Sequence, residues 1–494
     1  MNKKILLILT GLAVLGFFLR SYLFPDNLFF GPEQGNDFKI IRDIVVSHKY
    51  TLIGPKTDIG GVFHGPIYYY LAVIPFFFSG GDPYIVALFF TLIQSLTVFL
   101  IYLVALEITG NSKIAYISAS LYTVSYGAIS YSRWLSGQPL TIPLSALFFL
   151  FLIKFLKGRK WYLPGAAISY GLMGQSEFIN FLLVAATGLG IFICYYKKII
   201  RRSKIIPIII ISLCTAILFS VGNFALFDIR HKFLISKSLF ALCTGVKGYY
   251  TSFSQSFNSV TSTFIDSSMD VLGLPNTIIT IAILASIFTI LFIRSKKSQY
   301  LHLLLLWLLI PNIILIILRH GALVQLYVFL AVGLLLGMAY AVYVIYEKFS
   351  ASLGIFVFLL IIFSNVSLWF MNLPTNKRIF FQSTQPDLHY QDQLGTIEYI
   401  YKKAQGRQFY FQSYTIPYFW QSGWEYLFWY YGTKHNYILP DEEHDELLYV
   451  IIQKDISNPR FQFDWHKNTV EHWGTLQTSA SFGTLTVEER IKER

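Results

Sequence analysis

Charge is scarce in this chain. Of its 494 residues only 13% are charged, against 54% hydrophobic and 18% aromatic, and mean hydropathy is +0.53. That balance excludes a soluble globular protein of this length. Cysteine is nearly absent: Cys194 and Cys214 lie inside apolar runs and Cys243 in a loop, which excludes a disulfide framework and offers no thiolate spacing for a metal. No P-loop, Rossmann glycine pattern or zinc-type His/Cys spacing occurs, and there is no internal repeat or low-complexity tract. The long apolar runs carry no charge near their middles, unlike transporters, which place ionisable groups deep within spans.

What is present is apolar length. Runs of about twenty residues read as membrane spans, and they fall near 4–24, 84–108, 114–131, 139–157, 161–175, 178–196, 205–227, 273–294, 299–318, 322–345 and 352–371. The fold class is therefore mainly α: a polytopic membrane protein with about 11 transmembrane helices. Lys3 and Lys4 precede the first run without a small-residue cleavage site before Arg20 and Pro25, the pattern of an uncleaved signal anchor. The net charge of +12 comes from short loops between spans, where positive charge sets topology, so nucleic acid is not an expected partner.

Topology follows from those loops. Lys3-Lys4, Lys157 to Lys160, Lys197 to Lys204 and Arg294 to Lys297 all fall on one side if segment 65–79 does not cross, and the positive-inside rule makes that side cytoplasmic. Segment 65–79 then reads as an interfacial helix, with Tyr68-Tyr69-Tyr70 suited to headgroup depth. The expected location is the cell membrane, multi-pass, with the N-terminus cytoplasmic. External segments are 25–83, 132–138, 176–177, 228–272, 319–321 and everything after about 372. The last stretch regains charge and alternation: strands are expected at 409–413, 448–452 and 482–487, and helices at 390–404 and 417–432. Two domains are expected, a transmembrane part over 1–371, with interfacial helices in its first external loop, and a small extracytoplasmic α/β domain over 372–494.

Ionisable residues gather on the external side. Glu33 and Asp37 begin a helix expected over 35–47; acids there cap a first turn or serve as a general base raised by desolvation. His64 precedes Gly65-Pro66, which suits a helix start or places an imidazole at headgroup level. Arg133, Arg230, His231, Arg319 and His320 stand where the topology rule disfavours cations, as snorkelling side chains or as ligands for an anionic headgroup. Gln175 and Glu177 occupy a tight turn whose simplest reading is helix capping. The aromatic run Tyr418 to Tyr431 reads first as packing and second as a sugar-stacking surface.

The first external loop opens with Phe30-Gly31-Pro32-Glu33-Gln34; Gly65-Pro66-Ile67-Tyr68-Tyr69-Tyr70-Leu71 and Phe227-Asp228-Ile229-Arg230-His231-Lys232-Phe233 follow. With this order of spans and loops, the chain resembles the GT-C fold glycosyltransferases that use polyprenyl-phosphate sugars, the superfamily of protein O-mannosyltransferases and aminoarabinose transferases, in a bacterial family 39-like branch. The resemblance covers most of residues 1–350 in layout. It implies a membrane hexosyl- or pentosyltransferase of the cell envelope that moves a sugar, with inversion, from a polyprenyl-phosphate donor to an extracytoplasmic protein, lipid or glycan acceptor. An acid in the first loop is the family's base, which implies that role for Glu33 or Asp37, although the family's first acid is commonly Asp. Donor phosphate contacts are implied for His64, Arg133, Arg230, His231, Arg319 and His320. No organic cofactor is implied. A divalent metal is left open, because loop 132–138 lacks the second acid often found there. The competing readings are a polymerase or ligase that uses lipid pyrophosphate-linked glycans, and a lipid flippase or transporter.

Overall fold

The computed structural model describes residues 2–202, 205–245, 252–296, 300–319, 322–372, 388–416, 418–441 and 446–492. In chain order the helices are α1 (Lys3–Ser21), α2 (Phe24–Asn27), α3 (Pro32–Val46), α4 (Ile67–Ser79), α5 (Pro83–Thr109), α6 (Ser112–Val124), α7 (Tyr126–Ser132), α8 (Thr141–Leu156), α9 (Tyr162–Ser176) and α10 (Asn180–Ile200). They continue with α11 (Ile205–Arg230), α12 (Leu234–Cys243), α13 (Phe253–Leu272), α14 (Thr277–Ser295), α15 (His302–Leu318), α16 (Ala331–Lys348), α17 (Ala351–Asn372), α18 (Tyr390–Ala404), α19 (Ser422–His435) and α20 (Pro459–Trp465). Among the described residues eight helices are long and apolar enough to cross a membrane, and the chain is a multi-pass membrane protein.

Each expected span coincides with a helix, but three are short. The span expected at 114–131 is two helices, broken at Ser125. Its hydroxyl accepts the Ala128 N–H at 3.2 Å and donates to the Val271 carbonyl at 2.6 Å, while the Asn365 side chain accepts the Tyr126 N–H at 2.8 Å. Backbone groups released by the break are thus re-paired, which is what an apolar environment demands. Helix α9 has 15 residues and α15 has 17. Arg20, in the last turn of α1, is fully buried. It donates to the carbonyls of Gly16, Thr123 and Tyr122 at 3.1, 3.2 and 3.2 Å, so a cation inside the bundle satisfies backbone of α1 and α6.

The C-terminal strands β1 (Tyr410–Tyr414), β2 (Leu447–Gln453), β3 (Thr475–Phe482) and β4 (Leu485–Ile491) form one sheet in the order β1-β2-β4-β3. β1 and β2 are parallel, and β4 is antiparallel to both β2 and β3. The window 482–487, expected as one strand, holds the end of β3 and the start of β4, parted by a turn at 483–484 with Gly483 at φ +56°, because glycine supplies the left-handed conformation a tight turn needs. The helix expected at 417–432 runs from Ser422 to His435.

This region shares one core with the first external loop. Phe24, Phe30, Phe38, Tyr68 and Phe76 pack in a single buried cluster with Tyr390, Ile397, Trp424, Tyr426 and Leu427. The Tyr390 N–H donates to the Leu28 carbonyl at 3.0 Å, and the Gln393 amide to that of Phe30 at 3.0 Å. The aromatic run is therefore packing material: Phe76 stacks on Trp429, and Tyr426 meets Phe38 edge-on.

Candidate functional site

Helix α3 starts three residues before the expected 35–47. Pro32 takes the first helical position, where its missing N–H costs nothing, and the Gln34 side chain reaches back to accept the Gly31 N–H at 3.2 Å. Its amide then donates to the Leu135 carbonyl at 3.3 Å, tying α3 to the 132–138 loop. Glu33 and Asp37, four residues apart, share a helix face. Glu33 is open to solvent, whereas Asp37 is only 7% exposed and accepts a hydrogen bond from Tyr69 Oη at 2.7 Å. Burial pushes the Asp37 carboxyl up to about 7; the Tyr69 bond works against this and the neighbouring Glu33 charge adds to it. Glu33 is also raised by desolvation.

The tyrosines of α4 do not lie as a row at headgroup depth. Tyr68 and Tyr69 are buried, and of the three only Tyr70 is exposed. Tyr68 Oη is buried without a hydrogen-bond partner, close enough to Asp37 for its own ionisation to be opposed by that charge. A buried hydroxyl in this state is a donor waiting for an acceptor.

Next to it lies a second acid. Glu177, 7% exposed, is raised to about 8 by burial and by the Asp58 charge, against hydrogen bonds from the Gln138 side chain and the Ile179 and Phe178 N–H groups. His64 Nδ1 sits 3.9 Å from Glu177 Oε1 and accepts the Phe178 N–H at 3.3 Å. Burial lowers the imidazole to about 4, so at neutral pH this is an uncharged pair, with His64 keeping its proton on Nε2. Backbone joins the two walls: the Gly65 N–H donates to the Gln175 carbonyl at 2.7 Å. Gly137 lies against both Tyr68 and Ser176, so Tyr68 stands between the α3 acids and the 176–177 turn.

Other expected residues are placed differently. Arg133 is 3% exposed. It donates to the carbonyls of Arg20 and Tyr22 at 2.8 and 3.0 Å, pairs with the Asn27 side chain, and lies over the Phe24 ring at 4.4 Å. This corrects its expected part in a phosphate cluster: the guanidinium closes the C-terminal end of α1, whose last carbonyls have no helical partner. Arg230 and His231 sit at the end of α11. The His231 ring stacks on Phe227 at 3.9 Å, and Phe227 meets Phe63 at 5.5 Å, so the end of α11 packs on the segment that carries His64. Asp228 accepts the N–H groups of Ile235 and Ser236 at 2.7 and 3.1 Å, so it joins α11 to α12. Arg319 closes α15 in a left-handed conformation, φ +52°, at the end of the helix where Ser256 of α13 donates to the Ile316 carbonyl at 3.3 Å. His320 lies outside the described residues. Among the described residues no three His, Cys, Asp or Glu side chains form a group that could hold a metal.

Sequence reasoning missed the partners rather than the acids. Tyr69, Tyr68 and the Glu177–His64 pairing carry no spacing signal, because they meet across segments. The one available hint was an acid and an amide in a turn only two residues long.

Fold and site define a multi-pass membrane protein with its acids gathered beneath a packed, soluble-type region at one end of the bundle. Residues 63–222 match the family described as dolichyl-phosphate-mannose-protein mannosyltransferase; Glu33 and Asp37 precede the matched stretch. The structure is similar to ArnT from Cupriavidus metallidurans bound to undecaprenyl phosphate, with TM-score 0.61 and 10% identity over 99% of this chain and 98% of that one. The apo state of the same protein gives TM-score 0.59 and 11% identity, over 98% and 97%. The oligosaccharyltransferase of Archaeoglobus fulgidus, in complex with Zn and sulfate, gives 0.46 and 15%, over 80% and 55%. No curated protein matches the chain. The likeness to ArnT is one of fold, over nearly the whole length of both chains.

Proposed function

We propose that the protein is an integral membrane glycosyltransferase that moves a sugar from a polyprenyl-phosphate donor to an acceptor hydroxyl at the extracytoplasmic face. The observation that carries this reading is the buried carboxyl of Asp37 on α3, raised by burial to about 7, in a fold similar to that of a protein bound to undecaprenyl phosphate. A base with that pKa is matched to operation near neutral pH, where general-base help is worth about 10²–10⁴-fold.

In the proposed reaction the acceptor oxygen attacks the anomeric carbon, and its proton passes to Asp37. The bond from that carbon to the phosphate oxygen breaks, with its electron pair leaving on the lipid phosphate. One displacement inverts the centre. Tyr69 orients the carboxylate, and Glu33, its charge adjoining Asp37, keeps the proton affinity of the pair high. The leaving phosphate needs little acid catalysis but does need donors. His64 Nε2, Tyr68 Oη, Arg230, His231, Arg319 and His320 are assigned to it; removing one such donor costs roughly 10²–10³-fold by analogy with oxyanion sites. The acceptor side is assigned to the external C-terminal region, and the N-terminus to the cytoplasm.

The test is glycosyl transfer in membranes supplied with a polyprenyl-phosphate sugar, with Glu33→Gln and Asp37→Asn made separately. Asp37→Asn should lose the larger factor. Wild-type rates in both variants would remove the base from the mechanism, and use of a lipid pyrophosphate oligosaccharide instead would replace the donor.

A further inference from the structure

Between helices of the bundle, apart from the Asp37 site, is an apolar cavity. It holds about 370 Å³ between α8, α9, α10 and the start of α11, and is lined by apolar side chains including Leu156, Leu163, Ile191 and Ile199. Phe155 and Leu156 close α8, Leu163 opens α9 and Ile199 closes α10, so one end of the cavity lies at the basic loops. From Ile199 to Val184, the span of its lining on α10, is about 22 Å, so the cavity reaches from the basic loops well into a hydrocarbon layer roughly 30 Å thick. Ala185 and Phe192, both lining residues, are solvent-accessible on the outer surface of the bundle, so the cavity opens sideways, where lipid would lie.

The mouth carries charge of one sign in excess. Lys157, Arg159, Lys160, Lys197 and Arg201 surround it; the acid Glu107 pairs with Lys157 at 2.6 Å. Arg202 is folded back onto the groove itself: its guanidinium lies 5.0 Å from the Phe155 ring and donates to the Leu156 carbonyl at 2.6 Å. Topology accounts for basic loops on this side. Capping of the last α8 carbonyls, as Arg133 caps those of α1, seats the Arg202 guanidinium over a lining residue of the apolar groove. Two of its five N–H donors bond the carbonyls of Phe155 and Leu156, leaving others for a phosphate oxygen.

We propose that this groove seats one acyl chain of an anionic phospholipid from the cytoplasmic leaflet, with its phosphate held by Arg202 and the surrounding lysines and arginines. The site is separate from the proposed transfer site and does not depend on it. Apolar burial holds the chain, while the cationic rim selects the headgroup.

Gly188 supplies the test. A Cβ added there would meet only the Phe148 ring, at 4.0 Å, so a side chain at this lining position begins in open space, and Gly188→Leu extends it into the groove. The purified full chain, stripped of lipid, is titrated with phosphatidylglycerol and with phosphatidylcholine, and binding is read by native mass spectrometry and by the rise in Tm that a ligand of the folded state produces. Wild type should prefer phosphatidylglycerol by about tenfold, and Gly188→Leu should lose at least tenfold in affinity at unchanged gel-filtration behaviour. Arg202→Gln should keep lipid but lose the preference. Should Gly188→Leu not be monodisperse, Ala185→Trp at the lateral opening reads the same property. Equal binding of the two lipids by wild type, undiminished binding in the filled groove, or displacement of phosphatidylglycerol by undecaprenyl phosphate in direct competition would each overturn the proposal.

Discussion

Asp37 shows how one side chain can set both chemistry and stability. Its carboxyl near 7, against an ordinary value of 3.8, means that the folded protein holds a proton which the unfolded chain has already released between about pH 4 and pH 7. Stability therefore falls as pH rises through that window and levels off above it. Activity that needs the carboxylate rises through the upper part of the same window. Asp37→Asn is expected to separate the two: transfer drops by about 10²–10⁴-fold, while Tm measured at pH 8 rises, by the equivalent of up to a few kcal/mol. Tyr69→Phe removes the bond that favours the charged form, so the ascending limb of the pH–rate profile should move to higher pH. An unmoved limb would show that Asp37 does not titrate in the reaction.

Glu177 and His64 give the opposite case at the same scale. Both are uncharged at neutral pH, so Glu177→Gln preserves the shape and neutrality of the native side chain. Transfer at pH 6.5 should fall by less than about threefold, and thermal unfolding should lose the fall in stability that Glu177 imposes between about pH 4.5 and pH 8. Glu177→Ala leaves buried partners unsatisfied and should cost about 1–3 kcal/mol, read as a lower Tm. An equal loss from both substitutions would show that the proton, not the shape, is needed.

Between elements, the contact that matters is α3 against α19. A Cβ at Gly35 would meet the backbone of Ser422 and Gly423 at 2.4 Å, the Ser422 hydroxyl donates to the Pro32 carbonyl at 2.7 Å, and Lys39 pairs with Glu425. Backbone cannot yield as a flexible side chain can, so Gly35→Ala should displace α3, costing about 1–3 kcal/mol in stability and more in transfer than in Tm. Glu425→Gln breaks only an exposed ion pair and should cost less than about 1 kcal/mol. Comparing the two in one transfer assay separates helix position from surface charge. This is also where legibility in the sequence ended. A helix near 35–47, the acids at 33 and 37 and the strands at 409–413 and 448–452 were readable, because acid placement and alternation are local properties; the helix itself begins three residues earlier, at Pro32. The Gly35–Ser422 approach spans nearly the whole chain, and nothing near either residue announces it. Arg133 misled for a related reason: an external arginine looks like an anion ligand until the carbonyls at the end of α1 are seen to occupy it.

For the molecule as a whole, eight of the eleven expected spans are helices long and apolar enough to cross a membrane, legible because apolar length is a strong signal. The breaks were not: Ser125 divides a span through contacts with Val271 and Asn365, partners far away in sequence. The proposed orientation has a direct check. In a variant lacking Cys194, Cys214 and Cys243, thiols placed at the exposed Ser47 and Ser262 should react with an impermeant reagent added to intact cells, and one placed at Lys198 should react only after permeabilisation. Labelling of Lys198→Cys alone from outside would invert the molecule and end the extracytoplasmic reading.

The core that joins Phe30 and Phe38 to Trp424 and Tyr426 also orders events in time. The helix bearing Asp37 is among the first segments made, yet its clamp is among the last. A nascent chain can thread its spans into the bilayer long before residue 422 emerges and is exported, and until then the carboxylate has no fixed seat. Under the proposed reaction the centre stays inert until α19 has been made, and a chain stopped short of that helix should insert normally and transfer nothing.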